Sequence, residues 1–305
     1  MTFICPVCRG DVVGSASLQC TRCGRSYPID GGITDFSEGA YYDVFEPGST
    51  LTPEHERGLA QEVFGTRWRI DQFYLTRLTD GPRVLDCGCG NGLSVDLLAE
   101  RGFEAWGIDL SALRKWQWRE REHRDRLAVA SALALPFRDG WFDTVISSGV
   151  IEHIGVAETG GATYSVRPLP ERDTLRRKYV SELLRVVRPG GSLFIDCPNG
   201  AFPIDFWHNV AGGRARWHRL DEGFLPTYGE IRRLVNEEAP GAAIRALTPH
   251  RRFAFQQVGR YWYGRLGALP ITLWFRLLAV PGLRWIAGTR ANPFLVVQIR
   301  KSAAG

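Results

Sequence analysis

Between residues 82 and about 200, short apolar runs alternate with longer stretches of helical spacing. Arg83-Val84-Leu85-Asp86, Ala105-Trp106-Gly107-Ile108-Asp109, Leu127-Ala128-Val129-Ala130, Phe142-Asp143-Thr144-Val145-Ile146-Ser147 and Ser192-Leu193-Phe194-Ile195-Asp196-Cys197 read as strands. Leu93 to Arg101 reads as a helix. So does Glu182 to Val187, which stops at Arg188-Pro189-Gly190-Gly191. Strands separated by helices predict a parallel sheet with crossovers and hence an α/β fold. Asn292 to Arg300 reads as a last strand, which makes residues 201–290 a long excursion. Residues 40–80 read as helical, starting at Pro53-Glu54 and stopping at Asp80-Gly81-Pro82.

The loop after the first of these strands carries the clearest chemistry. Asp86 ends the strand, and Gly88, Gly90 and Gly92 follow before the helix. Glycine permits positive φ and close approach of a ligand, and amide donors at the helix start face the same crevice. Asp109 ends the next strand, where a carboxylate can accept both hydroxyls of a ribose. The spacing Gly-x-Gly-x-Gly differs from the dinucleotide fingerprint Gly-x-Gly-x-x-Gly. A carboxylate at Asp86 repels a pyrophosphate and suits the sulfonium and amino group of a methionine conjugate.

Val84 to Gly92 resembles the first motif of class I S-adenosylmethionine-dependent methyltransferases, and Gly107-Ile108-Asp109-Leu110-Ser111 resembles the second. Ala130 to Phe137 with Phe142 to Ile146, Val150-Ile151-Glu152-His153-Ile154, and Leu184 to Gly191 are similar to later segments of that family, in the same order. The resemblance spans residues 83–198. It implies a Rossmann-like α/β sheet with helices on both faces. It also implies S-adenosylmethionine held by Asp86, Gly88, Cys89, Gly90, Asp109, Leu110, Ser131, Ala132 and Ser147. The family's aspartate before Ala-x-x-Leu-Pro-Phe is Ser131 here, which accepts a hydrogen bond but brings no charge to the adenine. That departure leaves a non-catalytic partner protein as an alternative.

Of seven cysteines, four form Cys5-x-x-Cys8 and Cys20-x-x-Cys23. Two such knuckles complete a tetrahedron of thiolates with no position left for substrate, so the spacing predicts a structural zinc ribbon. With an odd cysteine total and no secretion signal, this fits a cytoplasmic protein. Arg25 to Ile33 resembles the zinc-ribbon protein that activates certain tRNA and protein methyltransferases, and the ribbon preceding some ribosomal RNA methyltransferases. The expected organisation is a ribbon over 1–38, a helical linker or cap over 39–81, and a methyltransferase domain over 82–305 with insertions at about 155–178 and 201–290.

A sulfonium donor is already activated, so the enzyme must position the acceptor, exclude water and, for a hydroxyl, remove a proton. His153, His208 and His218 are the candidate bases, with His153 preferred. Tyr164, Asp205 and His208 are candidate substrate contacts, and Arg167 and Arg172 lie in the first insertion. The Asn/Asp-Pro-Pro-Tyr run that cradles planar amine acceptors is absent after Ser147. Cys197-Pro198 is not the order used for cytosine methylation.

Residues 251–290 mix aromatic residues, among them Phe255, Tyr261, Trp262, Tyr263, Trp274 and Trp285, with arginines. Such a surface clamps RNA, lies at a membrane interface, or packs as core. The apolar runs Ile271 to Phe275 and Leu277 to Val280 favour a membrane-proximal or greasy partner, with peripheral contact through about 261–290. Leu266 to Phe275, bracketed by Arg265 and Arg276, is too short to span a bilayer. The net charge of +5 is modest and demands no anionic partner. Arg114 to Arg126, interleaved with acidic residues, reads as a solvated helix. The leading expectation is methyl transfer, at oxygen, to a small-molecule or lipid- or glycan-linked acceptor. RNA methylation, with the ribbon as RNA dock, is the alternative.

Overall fold

The computed structural model describes residues 3–45, 53–159, 164–210, 214–254 and 262–303. The cysteine-rich segment folds as β1 (Val12–Val13), β2 (Ser17–Cys20), β3 (Ser26–Asp30) and β4 (Ile33–Asp35). Helix α1 (Pro53–Arg69) starts at the expected proline, and a wider turn continues it over Ile70–Tyr74. The alternating segment then gives β5 (Arg83–Cys87), α2 (Leu93–Ala99), β6 (Glu104–Asp109), α3 (Ala112–Gln117), β7 (Leu127–Val129) and β8 (Phe142–Ser148). A hairpin of β9 (Val156–Thr159) and β10 (Ser165–Pro168) precedes α4 (Arg172–Val186) and β11 (Val187–Pro198). A second hairpin, β12 (Ile204–Val210) and β13 (Arg214–Trp217), is followed by α5 (Tyr228–Glu238), β14 (Ala243–Leu247), α6 (Trp262–Leu278) and β15 (Phe294–Arg300).

The main sheet runs β1-β2-β3-β4-β7-β6-β5-β8-β11-β15-β14. Strands β4 to β11 are parallel along that order, and β15 enters antiparallel between β11 and β14. The order reverses between β5 and β8, the crevice where open α/β sheets bind ligands.

The period of two along the strands sorts their side chains into two cores. Leu85, Val145, Leu193, Ile195 and Val297 pack with Tyr179, Val180 and Leu183 of α4 and Ile231, Leu234 and Val235 of α5 on one face. Val84, Ile146, Phe194 and Val296 pack with Phe73, Tyr74, Leu97, Leu98 and Trp118 on the other. Both faces are therefore covered, as the α/β expectation requires.

Three features differ from the sequence reading. The helix ending at Val186 begins at Arg172, inside the stretch read as an insertion; its first turns (Arg172, Asp173, Arg176, Arg177, Lys178) are too polar to show an apolar period. Residues 201–290 are not one excursion, because α5 and β14 belong to the sheet layer; Ala-Ile-Arg-Ala-Leu is a half-exposed edge strand with a weak apolar signal. The ribbon continues the sheet, since Thr34 and Asp35 of β4 pair with Ala128 and Val129 of β7. Phe3 wedges its ring against Phe36, Trp106 and Phe137 at that seam.

Candidate functional site

The glycine loop is a tight, internally bonded turn. Gly88, Gly90 and Gly92 have φ of +83°, +55° and +74°, values that cost a side-chain-bearing residue free energy. A Cβ on Gly88 would stand 2.2 Å from Cγ2 of Val150, so the loop abuts the segment after β8. The Gly88 and Cys89 amides donate to the Ile108 carbonyl at 2.8 and 2.9 Å. The Asn91 amide donates to Glu62 of α1 at 3.2 Å. These donors are therefore used within the fold and do not face the crevice open-handed.

Asp109 closes the loop from β6, its two oxygens accepting the Gly90 amide at 3.0 Å and the Leu110 amide at 2.8 Å. Burial pushes its pKa up to about 6, against the pull of Arg114 and those two amides. Asp86 is fully buried; its Oδ2 accepts Arg69 Nη2 at 2.9 Å and Ser94 Oγ at 2.5 Å. The charge that the sequence reading aimed at a sulfonium is thus already paired with a guanidinium. Asp86 Oδ1 and Arg69 Nη1 are buried with no partner among the described residues.

Other expected cofactor residues divide between crevice and core. Ser131 is half-buried and its Oγ accepts the Leu133 amide at 3.2 Å. Leu110, just past the end of β6, and Ala132, past the end of β7, are half-buried. Ser147 points into the core, donating to the Cys87 carbonyl at 2.8 Å and accepting Tyr179 at 2.7 Å. Cys89 is buried against Gly107, and burial holds its thiol neutral.

The stretch Arg114 to Arg126 is not a solvated helix. Trp118 is fully buried and donates to the Gly90 carbonyl at 2.8 Å, Arg121 donates to the Asn91 carbonyl at 2.8 Å, and Arg114 pairs with Glu62 at 2.8 Å. These residues buttress the loop. Trp116 and Trp118, two tryptophans in an otherwise polar run, were the signal for it.

Beyond β8, residues expected from separate segments converge. His153 and His208 have ring centroids 5.1 Å apart, and Tyr164 stacks on His208 at 5.9 Å. Phe224 packs against His153, Tyr164 and His208. Asp205 is fully buried and accepts His208 Nδ1 at 3.0 Å. Glu158 accepts His153 Nδ1 at 2.5 Å and Tyr164 at 2.6 Å. Partial burial works to lower the His153 pKa, but Glu158 and Glu152 together hold it above the usual imidazole value.

Glu152, which the sequence reading passed over, is 1% exposed, and burial raises its pKa against the pull of both histidines. Its Oε1 lies 3.9 Å from His208 Nε2, and its Oε2 has no partner among the described residues. Its place between apolar Ile151 and the candidate His153 was the available signal. Arg216 was also missed; it braces Asp205 at 3.4 Å and Glu222 at 2.5 Å.

The remaining candidates lie outside this cluster. His218 is tied at its two ring nitrogens to the Phe202 and Arg219 carbonyls, at 2.7 and 3.0 Å. Arg172 bonds the Gly223 carbonyl and Glu230, so it braces the fold, while Arg167 is exposed on β10. Cys197 is buried at the end of β11, with its thiol pushed up by burial.

The four N-terminal thiols lie within 4.8 Å of one another. Cys5–Cys23 and Cys8–Cys20 are 3.7 and 3.4 Å apart, far beyond a disulfide bond of about 2.05 Å and close to the edge of about 3.8 Å that zinc–sulfur bonds of about 2.3 Å impose on a tetrahedron.

In α6, Leu266, Leu269, Leu273 and Leu277 are 45–75% exposed, and Trp285 beyond it is 71% exposed. Ala268, Phe275 and Leu278 face inward. Among the described residues no single helix is long and apolar enough to cross a membrane. Phe255 and Tyr261 lie outside the described residues, as do the side chains of Trp262 and Tyr263.

Residues 85–195 match the family described as methyltransferase domain. The chain carries the signature of a methyltransferase domain over that segment. It is 34% identical over 176 residues to a 2-methyl-6-phytyl-1,4-hydroquinone methyltransferase of Synechocystis, covering 55% of this chain and 48% of that protein. It is 27% identical over 155 residues to a tRNA (carboxymethyluridine(34)-5-O)-methyltransferase of Arabidopsis thaliana, covering 47% of this chain and 33% of that one. The chain thus spans half or less of the length of these curated relatives. A chain in the solved complex between the Haloferax volcanii Trm112 methyltransferase activator and a methyltransferase is 14% identical, with a TM-score of 0.47, over 84% of this chain and 99% of that chain.

Proposed function

We propose that the protein transfers a methyl group from S-adenosylmethionine to oxygen of a small-molecule or lipid- or glycan-linked acceptor. The observation that carries this reading is one of placement. The glycine loop with Asp109 and the cluster around His153 and His208 flank the same sheet crevice, joined where Val150 meets Gly88. The orphaned Asp86 Oδ1 and Arg69 Nη1 suit the ammonium and carboxylate of a methionine moiety, and Asp109 suits a ribose diol. S-adenosylmethionine supplies the methyl cation equivalent. The protein's own residues orient the acceptor, exclude water through Tyr164 and Phe224, and deprotonate the hydroxyl at the histidine cluster.

Calorimetry with S-adenosylmethionine tests the donor claim; folded protein that binds none at millimolar ligand would sink it. The pH dependence gives a sharper check. Diol recognition needs ionised Asp109, and that carboxyl sits at about 6. Affinity is therefore level above that pH and falls toward tenfold per unit below it. Asp109→Asn binds weakly at every pH and loses the inflection. For stability the sign is opposite: a carboxyl raised by burial penalises the folded state when ionised, so acidification through pH 6 relieves that cost.

We infer that the cysteine cluster holds a structural zinc ion. The exposed leucine stripe of α6, with Trp285, supports an acceptor presented at a lipid surface and peripheral contact of a cytoplasmic protein there. In liposome flotation the protein rises with anionic vesicles, and Leu269→Glu with Leu273→Glu returns it to the bottom fraction; wild-type protein that stays at the bottom removes this part of the reading. The likeness to a tRNA methyltransferase favours a second reading, RNA as acceptor. It requires copurifying RNA whose affinity drops steeply with salt.

A further inference from the structure

The cluster beside the crevice has a geometry that a simple proton acceptor does not need. Glu152, His153 and His208 each offer a ligand atom, and these lie within 4.8 Å of one another. Each imidazole is anchored through Nδ1 by its own carboxylate, His153 by Glu158 at 2.5 Å and His208 by Asp205 at 3.0 Å. That leaves Nε2 of both rings, with no hydrogen bond among the described residues, as the nitrogen that can turn to a cation. A histidine fixed by an outer carboxylate is the usual arrangement around a bound metal, because it sets the tautomer and makes the free nitrogen more basic. Glu152 adds a carboxylate that is 1% exposed, with Oε2 unpartnered among the described residues. A buried acceptor of that kind is costly unless something positive or protic meets it.

We propose that Glu152, His153 and His208 bind a divalent transition cation, with the remaining coordination positions open toward the methyl acceptor. Two imidazoles and one carboxylate suit zinc or iron(II) and leave room for oxygen ligands. Metal–ligand bonds of about 2.0–2.1 Å set ligand spacings of about 3.4 Å. The Glu152–His208 separation of 3.9 Å closes to that with small side-chain rotations. His153 is 39% exposed, which gives the cation a way in. The inference goes beyond the proposed methyl transfer: the cation would bind with or without S-adenosylmethionine, and in catalysis it would lower the pKa of the bound acceptor hydroxyl, so that the proton leaves to water rather than to a metal-bound imidazole while the oxygen takes the methyl group.

Cobalt(II) titration of the metal-free full-length chain tests it, with a readout independent of methyl transfer. Two equivalents bind. One, at the cysteines, shows the intense sulfur-to-cobalt absorption of thiolate ligands, and the other shows only weak visible bands. His208→Ala and Glu152→Gln each remove the second equivalent while the thiolate bands persist, which also reports an intact ribbon. Glu158→Gln, at a partly exposed residue that orients His153 and also accepts from Tyr164, weakens the second equivalent about 10–100-fold. Cys20→Ser removes the thiolate bands and keeps the weak ones. A single thiolate-bound equivalent in the wild type, or a second equivalent that survives in both His208→Ala and Glu152→Gln, overturns the proposal.

Discussion

Replacing Asp86 with alanine is expected to cost about 3–5 kcal/mol of folding stability, because it strands the Arg69 guanidinium in the core. The Arg69 side chain is 9% exposed and the Asp86 side chain 0% exposed, with Nη2 and Oδ2 2.9 Å apart. Removing the carboxylate also takes an acceptor from Ser94. Total stabilities of about 5–15 kcal/mol make this a large fraction. Urea unfolding measures it as a lowered midpoint at unchanged slope. The double change Asp86→Leu with Arg69→Met is expected to cost less than Asp86→Ala, since it removes both charges and fills the space with apolar atoms. A loss below about 1 kcal/mol in Asp86→Ala would mean that the pair is reached by water and is not the buried bridge described here.

That ion pair also marks how far the sequence could be read. The strands β5, β6, β7, β8 and β11 were legible because each is a short apolar run buried on both sides and bounded by glycine, proline or a charged turn. The loop was legible because three glycines at alternate positions have few other uses. The partner of Asp86 was not legible, since Arg69 lies 17 residues earlier on a helix whose apolar pattern is weak, and only the fold brings the two together. The same holds for the acceptor cluster. His153, Tyr164, Asp205 and His208 could each be named as chemistry-bearing residues, but their meeting around Phe224 depends on two hairpins that leave little trace in apolar periodicity. Glu152 was hidden by its own burial, for a lone glutamate beside a histidine reads as surface until the core closes over it. Ser147 erred in the other direction. It stands at a strand end where a cofactor contact is expected, yet the pleat turns it toward Tyr179.

The ribbon shows the same dependence on context at the scale of a whole segment, and it yields the second large effect. Cys20→Ser is expected to lower the zinc content by about one ion per chain and the Tm by roughly 10 °C. The segment has too little core to stand alone. Its apolar residues are shared with the domain: Phe3 lies against Trp106 and Phe137, and Tyr27 packs on Phe36, whose amide donates to the Val129 carbonyl. Each such aromatic contributes about 1.5–3 kcal/mol when buried, so a collapsed ribbon withdraws several kcal/mol from the sheet it extends. It also uncovers β7, whose Ala128 and Val129 pair with β4 in the intact chain. An uncovered strand of that kind recruits other chains, so the variant is expected to aggregate as it melts. Limited proteolysis locates the damage, with new cuts between residues 3 and 35 before any in the sheet. Unchanged zinc content would show that these thiols do not hold the ion, and a melt that a chelator and this substitution both leave in place would show that the edge does not depend on a metal there. On the proposed reading the ribbon is an edge cover as much as a metal site: the ion would fix two turns, and those turns hold β1 to β4 over the edge of β7.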